Sequence, residues 1–538
     1  MLALLFLTVA MGRYVNPYDE GLILYGARLV MDGAVPHRDF YFIYGPGQLY
    51  VLAALFKIFG TSVLVERIYD SVVRATVAML VLIIVNRVAP RAQAFIAAAG
   101  AVLYLAFFQA YGSAMYSCLA ALLASAAFLS PALARQAYAP GLFAAGVCAG
   151  LAALMRYDVG IAVAGAEGLI LCFHAWHERE HPAQAVRTAI RTLFWFGLGL
   201  AIVVVPVAVA YVTGGVVADM VTQFTLYTPA YVKMRSLPFP GLAMLWENPA
   251  KLSVYLPLLM CLAALHTIFG IARRQPDGTL AAERGGQLVV LRYTLLILAT
   301  LALVCFAKGV VRVGMEMALI LTLAMAGVLA QPIAGRGKID RSIAGAAVLG
   351  MFLFGLSCVR PEAYRALNNI AWARDPASWT LAADGVPPDL GSCRLPADLA
   401  RLDCFRTPRD TVETIRYVQR HSAPGDRIYV GLTHHDRVYA NDILLYFLVD
   451  RRAATKWYEL DSGLTTLAPL QRIMVEELRR TRPVLVVLES SWEDVSEPNA
   501  SAIASGVTLL DDYLRQAFEP VVAFGPYAVL LTRSSARP

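Results

Sequence analysis

Apolar positions along this chain gather into long runs, and each run approaches the roughly 20 residues that a helix needs to cross a bilayer. They fall at about 68–88, 92–110, 114–131, 141–155, 159–175, 192–213, 251–271, 293–307, 312–331 and 341–358. A shorter run at residues 1–11 has the length of a signal-peptide core, but no basic stretch precedes it and no small-residue cleavage site follows it. It reads as a first spanning helix lacking part of its N-terminus, which brings the expectation to about eleven transmembrane helices. Between this run and the next, Leu22, Ile23, Leu29 and Val30 are set against Arg28 and Asp32. That pattern predicts a short helix lying at the membrane interface. Residues 47–60 predict a second such element, ended by Gly60.

After residue 358 the pattern changes, with more charge, more proline and no spanning run. TVETIRYVQRH predicts an amphipathic helix, DRIYVGL a strand, NDILLYFLVDR a helix or strand with mixed faces, and QRIMVEELRR a helix. RPVLVVLES predicts a buried strand, DDYLRQAFEP a helix and PYAVLLTR a last strand. Alternation of this kind predicts a small α/β domain. The expected fold is therefore a polytopic α-helical membrane protein, residues 1–358, followed by a soluble α/β domain, residues 359–538.

Composition agrees with this. Of 538 residues 58% are hydrophobic and only 16% charged, against about 45–50% apolar in soluble chains. A net charge of +7 would point to nucleic acid in a soluble protein, but here the cations lie between apolar runs and no basic and aromatic surface is visible, so nucleic acid is excluded as a partner. Arg87 and Arg91, Arg135, then Arg179, Arg187 and Arg191, then Arg273, Arg274, Arg284 and Arg292, and last Arg336, Lys338 and Arg341 fall in alternate loops. By the positive-inside rule those loops are cytoplasmic. The acidic first loop and everything after residue 358 are then extracytoplasmic. Cys118, Cys148, Cys172, Cys261, Cys305 and Cys358 lie in or at the ends of apolar runs and read as packing residues. Cys393 and Cys404 stand in the outer domain, where a disulfide between them is chemically allowed. There is no CxxC pair for a zinc site and no internal repeat of the transporter kind.

Chemistry concentrates in the first loop, residues 13–60, where Asp19 and Glu20 directly follow an apolar segment and are followed by Arg28, His37, Arg38 and Asp39. Such a set supplies a general base, a metal ligand or a cation-binding pocket, or is simply a solvated loop. The other outer loops carry Arg156 and Asp158 in MRYDVG, then Tyr227, Tyr231, Lys233 and Arg235 in TQFTLYTPAYVKMRSLPFP, and Lys308, Arg312 and Glu316 in AKGVVRVGME. A charge at membrane depth costs about 2.5–3.5 kcal/mol on insertion scales, so such residues face a cavity or a partner. Each alone is equally well a snorkelling chain or a structural ion pair. Together, acids in one loop and Lys, Arg and Tyr from others suit group transfer from a lipid phosphate. His434, His435 and Asp436 have the composition of a metal trio, but adjacent histidines in a loop are more often surface residues.

The order NPYDEG, DGAVPHRDF, GPGQLYVLAALFKIFG and VERIYDSVVR resembles the N-terminal part of GT-C membrane glycosyltransferases. It is most similar to the branch that contains the protein O-mannosyltransferases and the lipid A aminoarabinose transferase. The resemblance implies a catalytic carboxylate in the first extracytoplasmic loop, a polyprenyl-phosphate-linked sugar donor, and a soluble domain after the last helix. It assigns Asp19 as that carboxylate with Glu20 beside it, Asp39 as a second acid for an acceptor or a cation, and Arg67 as the arginine that follows the FG turn. Arg156 with Asp158, and Lys308 with Arg312, fall on the donor-phosphate side, and Tyr227, Lys233 and Arg235 join them as substrate-binding residues. The GPG at Gly45 to Gly47 departs from the family's PP-containing segment. In the tail, Arg451, Arg452 and Tyr458 either touch donor or acceptor or belong to a structural lid with a basic face.

The implied activity is inverting transfer of a hexose or pentose from the lipid phosphate to a hydroxyl of a glycan, lipid or protein. It takes place at the outer face of a bacterial inner membrane. No nucleotide sugar is implied, and no Gly-rich phosphate loop is present. The acidic pair permits a divalent metal without requiring one; no other cofactor is indicated. The rival reading is a transporter or flippase for a polar or lipid-linked substrate, whose charges would mark a pathway near the bilayer midplane.

Overall fold

The computed structural model describes residues 1–12, 14–107, 113–134, 138–177, 181–241, 253–272, 281–330, 338–339, 341–355, 363, 397–403, 405 and 407–533. Cys393, Cys404 and the expected domain boundary near residue 358 lie outside them.

Among the described residues the apolar runs are helical. The first nine helices are α1 (Leu2–Val9), α2 (Asp19–Met31), α3 (Gly47–Phe59), α4 (Val63–Asn86), α5 (Arg91–Phe107), α6 (Ser113–Ala134), α7 (Ala139–Met155), α8 (Tyr157–His177) and α9 (Pro182–Thr213). Among the described residues six helices are long and apolar enough to cross a membrane: Val63–Asn86, Ala114–Ala134, Tyr157–His177, Pro182–Thr213, Ser253–Gly270 and Gly286–Gly309. Arg91–Phe107, Ala139–Met155, Glu316–Leu329 and Arg341–Gly355 are shorter apolar helices, and α1 packs beside α4 and α5. Small residues set the closest approaches. A Cβ on Gly146 would lie 2.0 Å from the carbonyl of Phe196, and one on Gly199 2.1 Å from that of Phe143. The backbones of α7 and α9 therefore touch, as small-residue contacts allow in a bilayer.

The C-terminal region forms a five-stranded sheet in the order β2-β1-β3-β5-β4, from β1 (Arg427–Leu432), β2 (Arg452–Ala453), β3 (Leu485–Glu489), β4 (Phe518–Phe524) and β5 (Tyr527–Thr532). β1 pairs in parallel with β2 and β3, with Val430 opposite Val487, and β5 pairs antiparallel with β3 and β4. Helices Arg409–Arg420, Leu444–Val449, Ala468–Thr481 and Leu509–Ala517 flank it. NDILLYFLVDR resolves as a helix. The FEP that the sequence places at a helix end instead opens β4, an edge strand whose Pro520 and Val522 flank a bulge. Proline is tolerated at such an edge and bulge.

One expectation is overturned. Residues 20–31 are helical, but α2 does not lie on a membrane surface: Leu22, Ile23, Leu24, Tyr25 and Ala27 are all buried. They share a core with Phe40, Phe42, Leu445, Tyr446, Phe447 and Val487. Gly21 makes this possible, since a Cβ there would lie 2.4 Å from the backbone nitrogen of Leu444. The Leu444 N–H donates to the Pro17 carbonyl at 2.9 Å, and the Ala453 N–H donates to Tyr25 Oη at 2.7 Å. The Tyr25 ring stacks on Tyr446 and meets Tyr458 edge-on, with centroids 5.1 and 5.0 Å away. In α3, Leu49, Leu52 and Phe56 face inward while Tyr50, Ile58 and Phe59 are exposed, which fits the interfacial reading of that segment.

Candidate active site

The site begins at Asn16, whose side-chain oxygen accepts the N–H groups of Tyr18 and Asp19, each at 2.9 Å. Its own N–H donates to Glu20 Oε2 at 2.6 Å. This reciprocal arrangement starts α2 as caps commonly do and sends the adjacent carboxylates in different directions. Glu20 is buried against Arg67, with Nε 2.7 Å from Oε1 and Nη2 2.8 Å from Oε2. Arg67 Nη2 also donates to the Tyr14 carbonyl at 2.8 Å. Asp19 takes a hydrogen bond from Asn16 Nδ2 at 3.1 Å and stays partly exposed. Burial raises its carboxyl from the usual range to about 6, with Asn16, Arg235 and Arg312 pulling the other way.

A second layer comes from the C-terminal region. Tyr18 Oη donates to Asp461 Oδ2 at 2.9 Å and lies 3.3 Å from Glu459 Oε1. Gly463, at φ +79, lets this loop press on helix Thr228–Arg235, where a Cβ would lie 2.7 Å from the Ala230 carbonyl. Arg235 Nε is thereby held 3.8 Å from Asp461 Oδ1, and its Nη1 3.4 Å from Glu497 Oε2. Glu497 also holds Arg312 through both oxygens, at 2.5 and 2.7 Å, the fork geometry that orients a guanidinium. Arg312 is presented by a tight turn in which Val313 has φ 55, a left-handed conformation costly for a β-branched residue. Burial, helped by Asp461, pushes the Tyr231 hydroxyl up to about 12, so it stays a donor.

A third group lies at the membrane boundary. Arg156, between α7 and α8, binds Asp158 through Nε at 3.2 Å and Nη2 at 2.9 Å. Its guanidinium sits over the Tyr44 ring, 4.6 Å from the centroid. Tyr44 joins the groups, because its hydroxyl lies in the fields of Arg156, Tyr231, Asp19 and Glu459. The GPG departure acquires a reason here: a Cβ on Gly45 would lie 2.2 Å from the Leu154 carbonyl, so this segment passes directly against the end of α7. Lys308 has Arg156, Asp158, Glu316 and Arg312 as charged neighbours, yet makes no hydrogen bond or ion pair with a described residue.

Asp19, Arg156, Asp158, Arg235, Lys308 and Arg312 are thus brought into one electrostatic neighbourhood, with Glu20 and Arg67 paired behind Asp19. Three expected residues are not. Asp39 lies in an exposed turn, held by Arg38 at 2.8 and 2.9 Å and by the Val35 N–H at 2.8 Å. Lys233 is exposed. Tyr227 packs edge-on against Trp457, 5.4 Å between centroids. Arg451 is structural, donating to the carbonyls of Val449 and Ser422 at 2.9 and 2.7 Å, while Arg452 faces Asp32 at 3.7 Å and Tyr458 is buried against Tyr25. His435 is no surface residue: it is fully buried between Asp511 and Tyr429, at 2.7 and 2.9 Å. Among the described residues no group of three or more His, Cys, Asp or Glu could hold a metal ion, and the Asp19–Glu20 pair does not fit one because Glu20 is spent on Arg67.

Tyr18, Tyr44, Glu459, Asp461 and Glu497 were not legible as site residues. The available signal was the pair of acids in KWYELDSGL, isolated among residues with no other charge but a lysine.

No family model matches the chain, and no curated protein sequence matches it. Among solved structures it is similar to ArnT from Cupriavidus metallidurans bound to undecaprenyl phosphate, at 15% identity and a TM-score of 0.47 over 100% of this chain and 98% of that one. The apo state of the same protein gives 14% and 0.48 over the same shares. The oligosaccharyltransferase AglB from Archaeoglobus fulgidus, in complex with an inhibitory peptide and a dolichol-phosphate, gives 13% and 0.41 over 100% of this chain and 74% of that one.

Proposed function

We propose that this chain is a membrane glycosyltransferase that moves a sugar from a polyprenyl-phosphate donor to an acceptor hydroxyl, with Asp19 as the general base. The observation that carries the reading is Asp19 itself: a carboxylate freed from its neighbour Glu20, raised to about 6 by burial, and set in the fields of Arg235 and Arg312 from two other segments. A base with that proton affinity is ionised at neutral pH yet strong enough to accept a proton in the transition state. The motif order around Asp19 that resembles GT-C enzymes points the same way.

In the proposed reaction Asp19 takes the proton of the acceptor hydroxyl as its oxygen forms a bond to the anomeric carbon. The bond from that carbon to the phosphate oxygen breaks, and its electron pair leaves with the lipid phosphate. Lys308, which makes no hydrogen bond or ion pair with a described residue, and the nearby guanidinium of Arg156 would hold the developing charge at the membrane boundary. Arg235 and Arg312, oriented by Asp461 and Glu497, keep the pocket positive beside Asp19. The single displacement inverts the anomeric centre. The positive-inside pattern supports placing this pocket and the sheet domain on the extracytoplasmic face of a bacterial inner membrane, with a glycan, lipid or protein as acceptor.

The test is reconstitution of the purified chain in vesicles with radiolabelled undecaprenyl-phosphate hexoses and pentoses and a membrane extract as acceptor source. The reading predicts label moving from the lipid to a new, lipid-free or lipid A-like product. Movement of intact donor between leaflets without transfer would instead favour the flippase.

A further inference from the structure

Four side chains behind the Asp19 pocket carry polar atoms that no protein hydrogen bond reaches. The hydroxyl of Tyr41, and the atoms Glu459 Oε2 and Asp461 Oδ1, are enclosed and receive no hydrogen bond. The Tyr458 hydroxyl beside Glu459 is in the same condition. The side chains that carry them are among the most enclosed in the molecule: Tyr41 is 3% exposed, and Glu459, Asp461 and Tyr458 are 1% exposed each. Buried polar groups are nearly always satisfied, and leaving one unpaired costs stability. Several unpaired together imply a polar occupant.

Geometry ties these groups to one buried cluster. Tyr41 is fixed by its N–H, which donates to the Lys456 carbonyl at 2.9 Å, and by its ring, 5.3 Å from that of Trp457. Its hydroxyl lies in the fields of Glu459, Asp461, Tyr157 and Tyr231. The two carboxyls interact directly with each other, Tyr18 contacts both, and Asp19 acts on both. Burial and their mutual repulsion raise the proton affinity of the pair, opposed at Asp461 by Arg235. A carboxyl pair that shares a proton both donates and accepts, and a tyrosine hydroxyl does the same. That set matches a ring bearing several hydroxyls.

We propose that Tyr41, Glu459 and Asp461 form the subsite that holds the hydroxyl groups of the transferred sugar. This rests on the glycosyl-transfer reading above, since it supposes that a lipid-linked sugar enters the pocket. The lipid phosphate is held at the Lys308 end and the sugar ring reaches past Asp19 to this cluster. The subsite therefore recognises the sugar and not the carrier.

The experiment measures binding of undecaprenyl phosphate, and of its mannosyl, glucosyl and arabinosyl forms, to the full chain in nanodiscs. It compares wild type with Tyr41→Phe, which keeps the ring contact, and with Glu459→Gln. Wild type binds at least one glycosylated form about tenfold more tightly than the free carrier, the scale of one or two hydrogen bonds to charged groups. In both variants this margin collapses toward unity while affinity for the free carrier is unchanged. The inference is overturned if no glycosylated form is preferred by wild type, if the margin survives in both variants, or if both kinds of ligand weaken equally. Loss of the margin in the variants requires no turnover, and transfer by wild type requires no margin, so failure here and failure of the transferase reading are told apart.

Discussion

At the scale of single residues, the decisive feature is that two adjacent acids have opposite employment. On the proposed reading Asp19 is a cost to the fold and an asset to chemistry, and Glu20 is the reverse. Removing one partner of a buried ion pair typically costs about 3–5 kcal/mol, so Glu20→Gln should unfold at lower temperature than wild type. Asp19→Asn should not, when both are followed by thermal unfolding in detergent at pH 8. The sign follows from the raised proton affinity of Asp19. Its folded value of about 6 lies above that of an unfolded aspartate, so its effect on stability is most favourable at low pH and is lost as pH rises through about 6. Replacing it with a neutral amide relieves that cost. Activity should run the other way, with kcat/KM rising as pH passes through about 6 and Asp19 becomes ionised; a profile flat between pH 5 and 8 would contradict the assignment. The sequence places both acids in the first loop. It could not separate them, because the choice is made by Arg67, 47 positions away, whose role reads locally as a helix-end anchor.

At the scale of elements, α2 positions Asp19 and is itself positioned by the sheet domain. The contact at Gly21 is backbone against backbone, with the built Cβ 2.4 Å from Leu444 N, so flexible side chains cannot absorb a methyl group. Gly21→Ala should push α2 from its seat and cost about 1–3 kcal/mol. A displacement of about 1 Å at Asp19 would lower turnover on the order of a hundredfold. Turnover and melting temperature together would check this, and a fully active Gly21→Ala would show that α2 is not held there. The amphipathic pattern of residues 20–31 made the helix legible but not its surroundings. An apolar face bound for a membrane surface and one bound for a distant domain look alike in sequence. GPG was legible only as a departure; its purpose depends on the carbonyl of Leu154.

At the scale of the whole molecule, the first loop and the sheet domain share a core, in which Leu22, Tyr25, Phe40 and Phe42 pack with Ile415, Val430, Tyr446 and Val487. Residues expressed only to position 355 should therefore have a first loop that is cut rapidly by protease between residues 13 and 60, while the full chain resists. Equal protection of the two would contradict the shared core. The apolar helices and the α/β character of the tail were readable, because long runs and alternating periods are local properties. The composite site was not, because Glu459, Asp461 and Glu497 reach Asp19 and Arg312 only after the tail has folded back over the membrane part. The most direct test of the central claim is transfer of labelled sugar from undecaprenyl-phosphate donors by the folded full chain, comparing wild type with Asp19→Asn and Glu20→Gln. Transfer should fall by about a hundredfold or more in Asp19→Asn and persist in whatever fraction of Glu20→Gln remains folded; transfer retained by Asp19→Asn, or lost only with Glu20, would contradict it.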